Sequence, residues 1–314
     1  PRGRRVAGRT PCDRPRQMTE DPRWPRAGTW LADSTRHLAT TGQPPVFGLL
    51  GVPAHITSLS STTAHLTPRA VRDALNRYST WSHSQQVDLR GLPAIDLGDI
   101  EDPDGPDGEA RTMSVLSSWS GRLLIAIGGD NSITYAVTTG LRATGLVTLD
   151  AHHDLRDGMS NGSPVQRLLA DGFDGSRIVQ IGIGDFTNSR DYARRAQEYG
   201  VTIIDRDQVE ELGVDAVMAR AIEIASGPDR GPVHVDLDVD VCDRSVAPAC
   251  PASTPGGLSA HQLRRAARAA GRAPSVIGID LTEVDAAADA PDGRTVRLVA
   301  LCVLEAAAGM SRRT

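Results

Sequence analysis

The chain has 314 residues and a net charge of −5 at pH 7, with 39% hydrophobic and 4% aromatic residues. That length can form one large α/β domain, and the acidic balance without a basic face argues against nucleic-acid binding. With so few aromatics, a core must be built mainly from Ala, Val, Leu and Ile. Lysine is absent, so every fixed cation is an arginine. Cys12, Cys242, Cys250 and Cys302 show no CxxC spacing and read as reduced thiols of a cytoplasmic protein. No apolar run approaches the roughly 20 residues of a membrane span, so no membrane partner is expected.

The first 27 residues are rich in Arg and Pro and lack an apolar stretch, so no secretory signal is expected there, and the Arg-rich composition has a transit-like flavour. Residues 1–44 are expected to be a disordered extension or upstream sequence, with Met18 a plausible start, and residues 45–314 one domain. Val46–Val52 reads as a buried strand closed by Pro53, and Thr67-Pro68 opens a helix through Tyr78. Asp99–Glu109, acidic and rich in Pro and Gly, reads as a surface loop. Apolar strand-like runs follow at Leu123–Ile127, Leu146–Leu149, Ile178–Ile183, Val201–Ile204, Val233–Val239 and Val276–Ile279. Helical patterns at Asp191–Tyr199, Val214–Ala225, Ala260–Ala270 and Arg297–Ala308 alternate with them. This alternation predicts βαβ crossovers, a mostly parallel sheet covered on both faces, and chemistry beyond the carboxyl ends of its strands.

Two acidic clusters sit at such ends. In Asp150-Ala151-His152-His153-Asp154, an extended backbone points Asp150, His152 and Asp154 the same way. In His234-Val235-Asp236-Leu237-Asp238-Val239-Asp240, acids alternate with apolar residues at the end of a buried strand, where Asp236 and Asp238 share a face. Buried carboxylates need a partner or a metal. The four charges of Asp150, Asp154, Asp236 and Asp238 balance two divalent ions, and oxygen donors with one imidazole suit Mn²⁺. A third strand end, Gly128-Gly129-Asp130-Asn131-Ser132, is a tight turn that can supply a further ligand.

These motifs, in this order, resemble the ureohydrolases (arginase, agmatinase, formimidoylglutamase), whose pattern is GGDHS, DAHxD and SxDxDxxDPxxxPGxGTPxPGGL. The chain reads GGDNS at 128–132, DAHHD at 150–154 and HVDLDVDVCDRSVAPACPASTPGGL from 234, and the likeness runs from about Val46 to the C-terminal helix. It implies an arginase-type three-layer α/β/α fold around a mostly parallel, about eight-stranded sheet. GGDNSIT at 128–134, DAHHDLR at 150–156, NGSPV at 161–165 and FTNS at 186–189 are most similar to the formimidoylglutamase branch. Gly184-Asp185 and Val165-Gln166 depart from it.

The resemblance implies a two-manganese hydrolase that splits N-formimidoyl-L-glutamate into L-glutamate and formamide in histidine degradation. A guanidino hydrolase releasing urea is the alternative, and a metal-poor binding or regulatory subunit a third reading. By analogy one ion is held by Asn131, Asp150, Asp154 and Asp236, the other by Asp150, His152, Asp236 and Asp238. The Asn131-side ion is expected to be the weaker, because an amide oxygen is a poorer ligand than imidazole. Asp154 is expected to orient the attacking water and move its proton, Glu283 to pair with the amidinium, and His153 to pack or to shuttle protons. Arg156, then Arg167 and Arg190, are the candidates for substrate carboxylates, with Asn161 and Ser163 as hydrogen-bonding groups. His234 is expected to make a structural polar contact. Homo-oligomerisation follows from the family.

Overall fold

Short runs of Leu, Ile and Val, buried on both sides, build the centre of the structure, a computed structural model that describes residues 21–313. The first half contains α1 (Ala27–Thr41), β1 (Phe47–Val52), α2 (Thr67–Leu75), β2 (Trp81–Ser82), β3 (Val87–Asp88), β4 (Ala94–Asp99), α3 (Gly105–Ser117), β5 (Leu123–Gly128) and α4 (Ile133–Gly140). The second half contains β6 (Gly145–Leu149), α5 (Pro164–Ala170), β7 (Ile178–Ile183), α6 (Arg190–Glu198), β8 (Thr202–Asp205), α7 (Arg206–Leu212) and α8 (Val214–Ser226). It closes with β9 (Val233–Asp238), α9 (Ala260–Arg272), β10 (Val276–Thr282) and α10 (Arg294–Met310).

Eight strands form one parallel sheet in the order β4-β1-β5-β10-β9-β6-β7-β8, and β2 and β3 make a small antiparallel ribbon. The two-residue period assigns the faces. Leu123, Ile125 and Ile127 pack with residues of α2, α8, α9 and α10, whereas Leu124 and Ala126 pack with Ile133 and Val137 of α4 and Leu116 of α3. Helices therefore cover both faces, as the three-layer expectation required. The scarcity of aromatics is met by close backbone approach: a side chain at Gly271 of α9 would lie 2.2 Å from the Ala306 carbonyl of α10. Four neighbouring strands, β5, β10, β9 and β6, bring their carboxyl ends together, and the acidic clusters lie there.

Two expectations need correction. Organised structure begins well before residue 45, because α1 occupies Ala27–Thr41 and buries Trp30, Leu31 and Leu38. Its Ser34 and Thr35 hydroxyls accept the backbone N–H groups of Ala94 and Asp96 at 2.8 and 2.9 Å, so the helix shields the β4 edge. The apolar face is sparse and the N-cap makes no side-chain bond, which hides the helix behind an Arg/Pro-rich neighbour. Cys12 and Met18 lie outside the described residues. The Asp99–Glu109 loop is also shorter than expected: β4 runs to Asp99, and α3 starts at Gly105 with Pro106 in its first turn, where proline fits a helix.

Candidate metal centre

Each site residue is placed by a strand end. At the end of β6, Asp150 is followed by His152 and Asp154; Asp154 takes the left-handed conformation (φ 51°), a strained setting for a non-glycine residue. Beyond β9 a single 3-10 turn, Val239–Val241, carries Asp240, and Asp238 accepts the Asp240 N–H at 2.8 Å. Beyond β10 comes Glu283, also left-handed (φ 63°), with its N–H on the Gly129 carbonyl at 3.0 Å.

Two groups of possible ligands converge. Asp150, His152 and Asp240 form one, and Asp150, Asp154 and Asp238 the other, with ligand atoms in each group within 4.8 Å of one another. Asp150 is common to both. His152 Nδ1 lies 3.0 Å from Asp240 and 3.3 Å from Asp150. Burial works against its charge, but the hydrogen bonds and charges of Asp150 and Asp240 prevail and push its pKa up to about 12. Burial and the charge of Asp240 push Asp150 up to about 6. Burial, with the neighbouring acids, also raises Asp154 and Asp238 well above the carboxylate range. Four carboxylates forced together in this way call for cations, and oxygen donors with one imidazole fit hard divalent ions.

The pairing of Asp236 with Asp238 as ligands is not what the structure shows. Asp236 lies one row inside the sheet, opposite Thr148 of β6 and Asp280 of β10. Burial, with the charge of the facing Asp280, raises its pKa well above the carboxylate range. Asp238 and Asp240 are the converging pair, and Asp240 is the residue that sequence reasoning passed over. The signal was present: Asp238, Asp240 and Asp243 fit the DxDxxD spacing, which Asp236, Asp238 and residue 241 (valine) do not.

Asn131 does not turn its oxygen towards the acids. Its Oδ1 accepts from the hydroxyls of Thr134 at 2.8 Å and Thr282 at 3.0 Å, while its Nδ2 donates to Asp154 Oδ2 at 2.6 Å. His153 is buried away from the centre, its Nδ1 2.7 Å from Gln180 Oε1.

A cavity of about 360 Å³ opens over the acids, lined among others by His152, Asp154, Arg156, Asn161, Asp240 and Glu283. Arg156 is exposed there and makes no ion pair among the described residues. The other candidates are elsewhere. Arg167 is held by Glu109 at 2.6 and 2.7 Å and stacks on Tyr135; Ser163 is buried against Ser160; Arg190 begins α6 outside the lining. Asn161 spends its amide on the protein, accepting the Leu59 N–H at 2.9 Å and donating to Glu283 Oε1 at 2.7 Å. Glu283 Oε1 also accepts the Asn131 N–H at 2.8 Å; burial and the charges of Asp130 and Asp240 push its pKa up to about 8.

The Arginase family model matches residues 46–309. The formimidoylglutamase of Halalkalibacterium halodurans is 35% identical over 262 residues, 77% of this chain and 81% of that protein. The crystal structure of formimidoylglutamase from Bacillus subtilis superposes with a TM-score of 0.84 at 28% identity, covering 96% of this chain and 97% of that one. Trypanosoma cruzi formiminoglutamase, solved with Mn²⁺, shares the fold with a TM-score of 0.82 at 22% identity, over 93% of this chain and 100% of that one. The chain belongs to the arginase family. Its fold and clustered acids are those of a metal-dependent ureohydrolase, a hydrolase acting on C–N amidine bonds. Among the described residues, no helix is long and apolar enough to cross a membrane.

Proposed function

We propose that this protein hydrolyses N-formimidoyl-L-glutamate to L-glutamate and formamide at a pair of Mn²⁺ ions. The observation that carries this reading is the two converging ligand groups that share Asp150, in a chain similar to formimidoylglutamases. One ion is assigned to Asp150, Asp154 and Asp238, the other to Asp150, His152 and Asp240. The first set lacks an imidazole and is assigned the weaker ion. Divalent ions held by these residues would lower the pKa of bound water and so supply a nucleophile at neutral pH.

The side chains do the rest. Glu283 pairs with the cationic amidinium, and that charge favours its ionised form against burial. Asn131 and Asn161 hold Glu283 from two sides and keep its carboxylate aimed. Asp154, gripped by Asn131, orients the attacking water and carries a proton to the leaving nitrogen. Arg156, free at the cavity wall, meets a substrate carboxylate. Water adds to the formimino carbon, the C–N bond to the glutamate nitrogen breaks, and that nitrogen leaves as an amine.

The test is turnover of formimidoylglutamate, arginine, agmatine and guanidino acids by the full chain, before and after chelation and with Mn²⁺ restored. Formamide from the first substrate alone, dependent on Mn²⁺, is expected. Urea from a guanidino substrate without formamide would overturn the assignment.

A further inference from the structure

Beneath the metal centre the sheet carries ionisable groups that the chemistry above does not use. Three successive rows on one face of β6, β9 and β10 read Leu146–His234–Gly278, Thr148–Asp236–Asp280 and, at the top, Asp150–Asp238–Thr282, the outer strands placed by their register with β9 or by the strand period. His234, Asp236 and Asp280 are each 1% exposed or less. His234 Nε2 lies 3.0 Å from Asp280 Oδ2, and Asp280 stands opposite Asp236 in the β9–β10 register. Gly278 makes the room, since a side chain there would come within 2.8 Å of His234 Nδ1. Thr148 Oγ1 and both side-chain heteroatoms of His234 and of Asp280 are buried without an aligned hydrogen-bond partner. Apolar residues of similar volume would cost less in such a place, so a retained polar column calls for a use.

We propose that the column His234–Asp280–Asp236 is a positioning element that fixes Asp154 through Thr282 and Asn131. The inference rests on the proposed function. Thr282 has one hydroxyl proton and two acceptors in reach, Asn131 Oδ1 at 3.0 Å and Asp236 Oδ1 at 3.4 Å. Asp236, backed on the same face of the sheet by Asp280 and His234, is the more distant of the two acceptors. The hydroxyl is left to Asn131, whose amide is thereby oriented with its nitrogen on Asp154 Oδ2 at 2.6 Å. Asp154 has a strained backbone, so its carboxylate direction depends on this grip.

The experiment compares wild type, Thr282→Val, Thr282→Ser and Asp280→Ala as full chains. It measures Mn²⁺ binding by calorimetry, melting temperature, and kcat and KM on the substrate that wild type turns over. Groups behind a metal's ligands typically change affinity or activity by about 10–100-fold. Thr282→Val is expected to lower kcat at saturating Mn²⁺ by roughly that factor, with KM within about threefold of wild type. Thr282→Ser should recover most of kcat, and Asp280→Ala should show the same kcat-against-KM split. If Asp280→Ala fails to fold, the Thr282 pair still decides. Wild-type kcat in Thr282→Val, or a Thr282→Ser as impaired as it, would overturn the column's role. A wild type that binds no Mn²⁺ and is inactive would instead sink the function on which it rests.

Discussion

His152 Nδ1 lies 3.0 Å from Asp240 Oδ2, at the far end of a cluster whose other pole is Asp154. Asp240, rather than Asp236, is the acid that His152 meets, and it belongs with His152 and Asp150 to one group of possible ligands. The substitutions Asp240→Asn and Asp236→Asn therefore have different outcomes. Asp240→Asn is expected to lose one Mn²⁺ per chain and at least about 100-fold in kcat. Asp236→Asn should keep both ions and lose less than that, within the roughly 10–100-fold of a group behind the ligands. Metal analysis of the purified variants decides, and the reverse pattern would restore Asp236 as a ligand.

Metal-free protein should lose stability as pH rises from 5 to 8. Asp150 is raised to about 6 and Glu283 to about 8, so the folded state holds protons that the unfolded state has released. His152, raised to about 12, adds the same sign above its unfolded pKa. More protons bound in the folded state means stability falling with pH. Thermal melts of chelated protein across that range should show it, and saturating Mn²⁺ should flatten or reverse the slope. A chelated protein more stable at pH 8 than at pH 5.5 would contradict this sign.

Arg156→Ala should raise KM about 10-fold or more while leaving kcat within a few-fold, because a charge-assisted bond to substrate is worth about 1.5–3 kcal/mol. Arg167→Ala, which breaks the pair with Glu109, should lower the melting temperature and leave KM unchanged. Steady-state kinetics on both variants separates the roles; a KM effect at Arg167 instead would show that the anchor was misplaced.

Glu283→Gln keeps the hydrogen bonds from Asn131 and Asn161 possible but removes the charge offered to the amidinium. It should retain Mn²⁺ and lose about 100-fold in kcat/KM, most of it recoverable in no pH window. Unchanged kcat/KM would remove Glu283 from substrate binding.

The acid-rich strand ends were legible because chemistry and period coincide there: Asp150, His152 and Asp154 alternate beyond an apolar run, and a core strand bearing repeated Asp demands cations. The parallel sheet was legible for the same reason, since strands buried on both faces read as unbroken runs of Leu, Ile and Val. β4 and α1 were not. The acids of β4 are offset by Arg72, which pairs with Asp96 and Asp99, and the value of α1 lies in the strand edge it covers. Neither partner is near in sequence.

The sequence by itself determined that a strand bearing Asp236, Asp238 and Asp240 ends in a charged cluster facing a second one. Which two of the three acids meet the other cluster was decided by tertiary structure. Alternation is identical at every second residue and does not choose among them; the DxDxxD spacing favours Asp238 and Asp240, and the strand's end point and its register against β6 and β10 put them at the rim. One row, about 6.6 Å of strand, separates a proposed ligand from a buried acid beneath it. The same holds for Arg156 and Arg167: both are guanidiniums on nearby segments, and only packing shows that one is free at the cavity and the other is bound to Glu109.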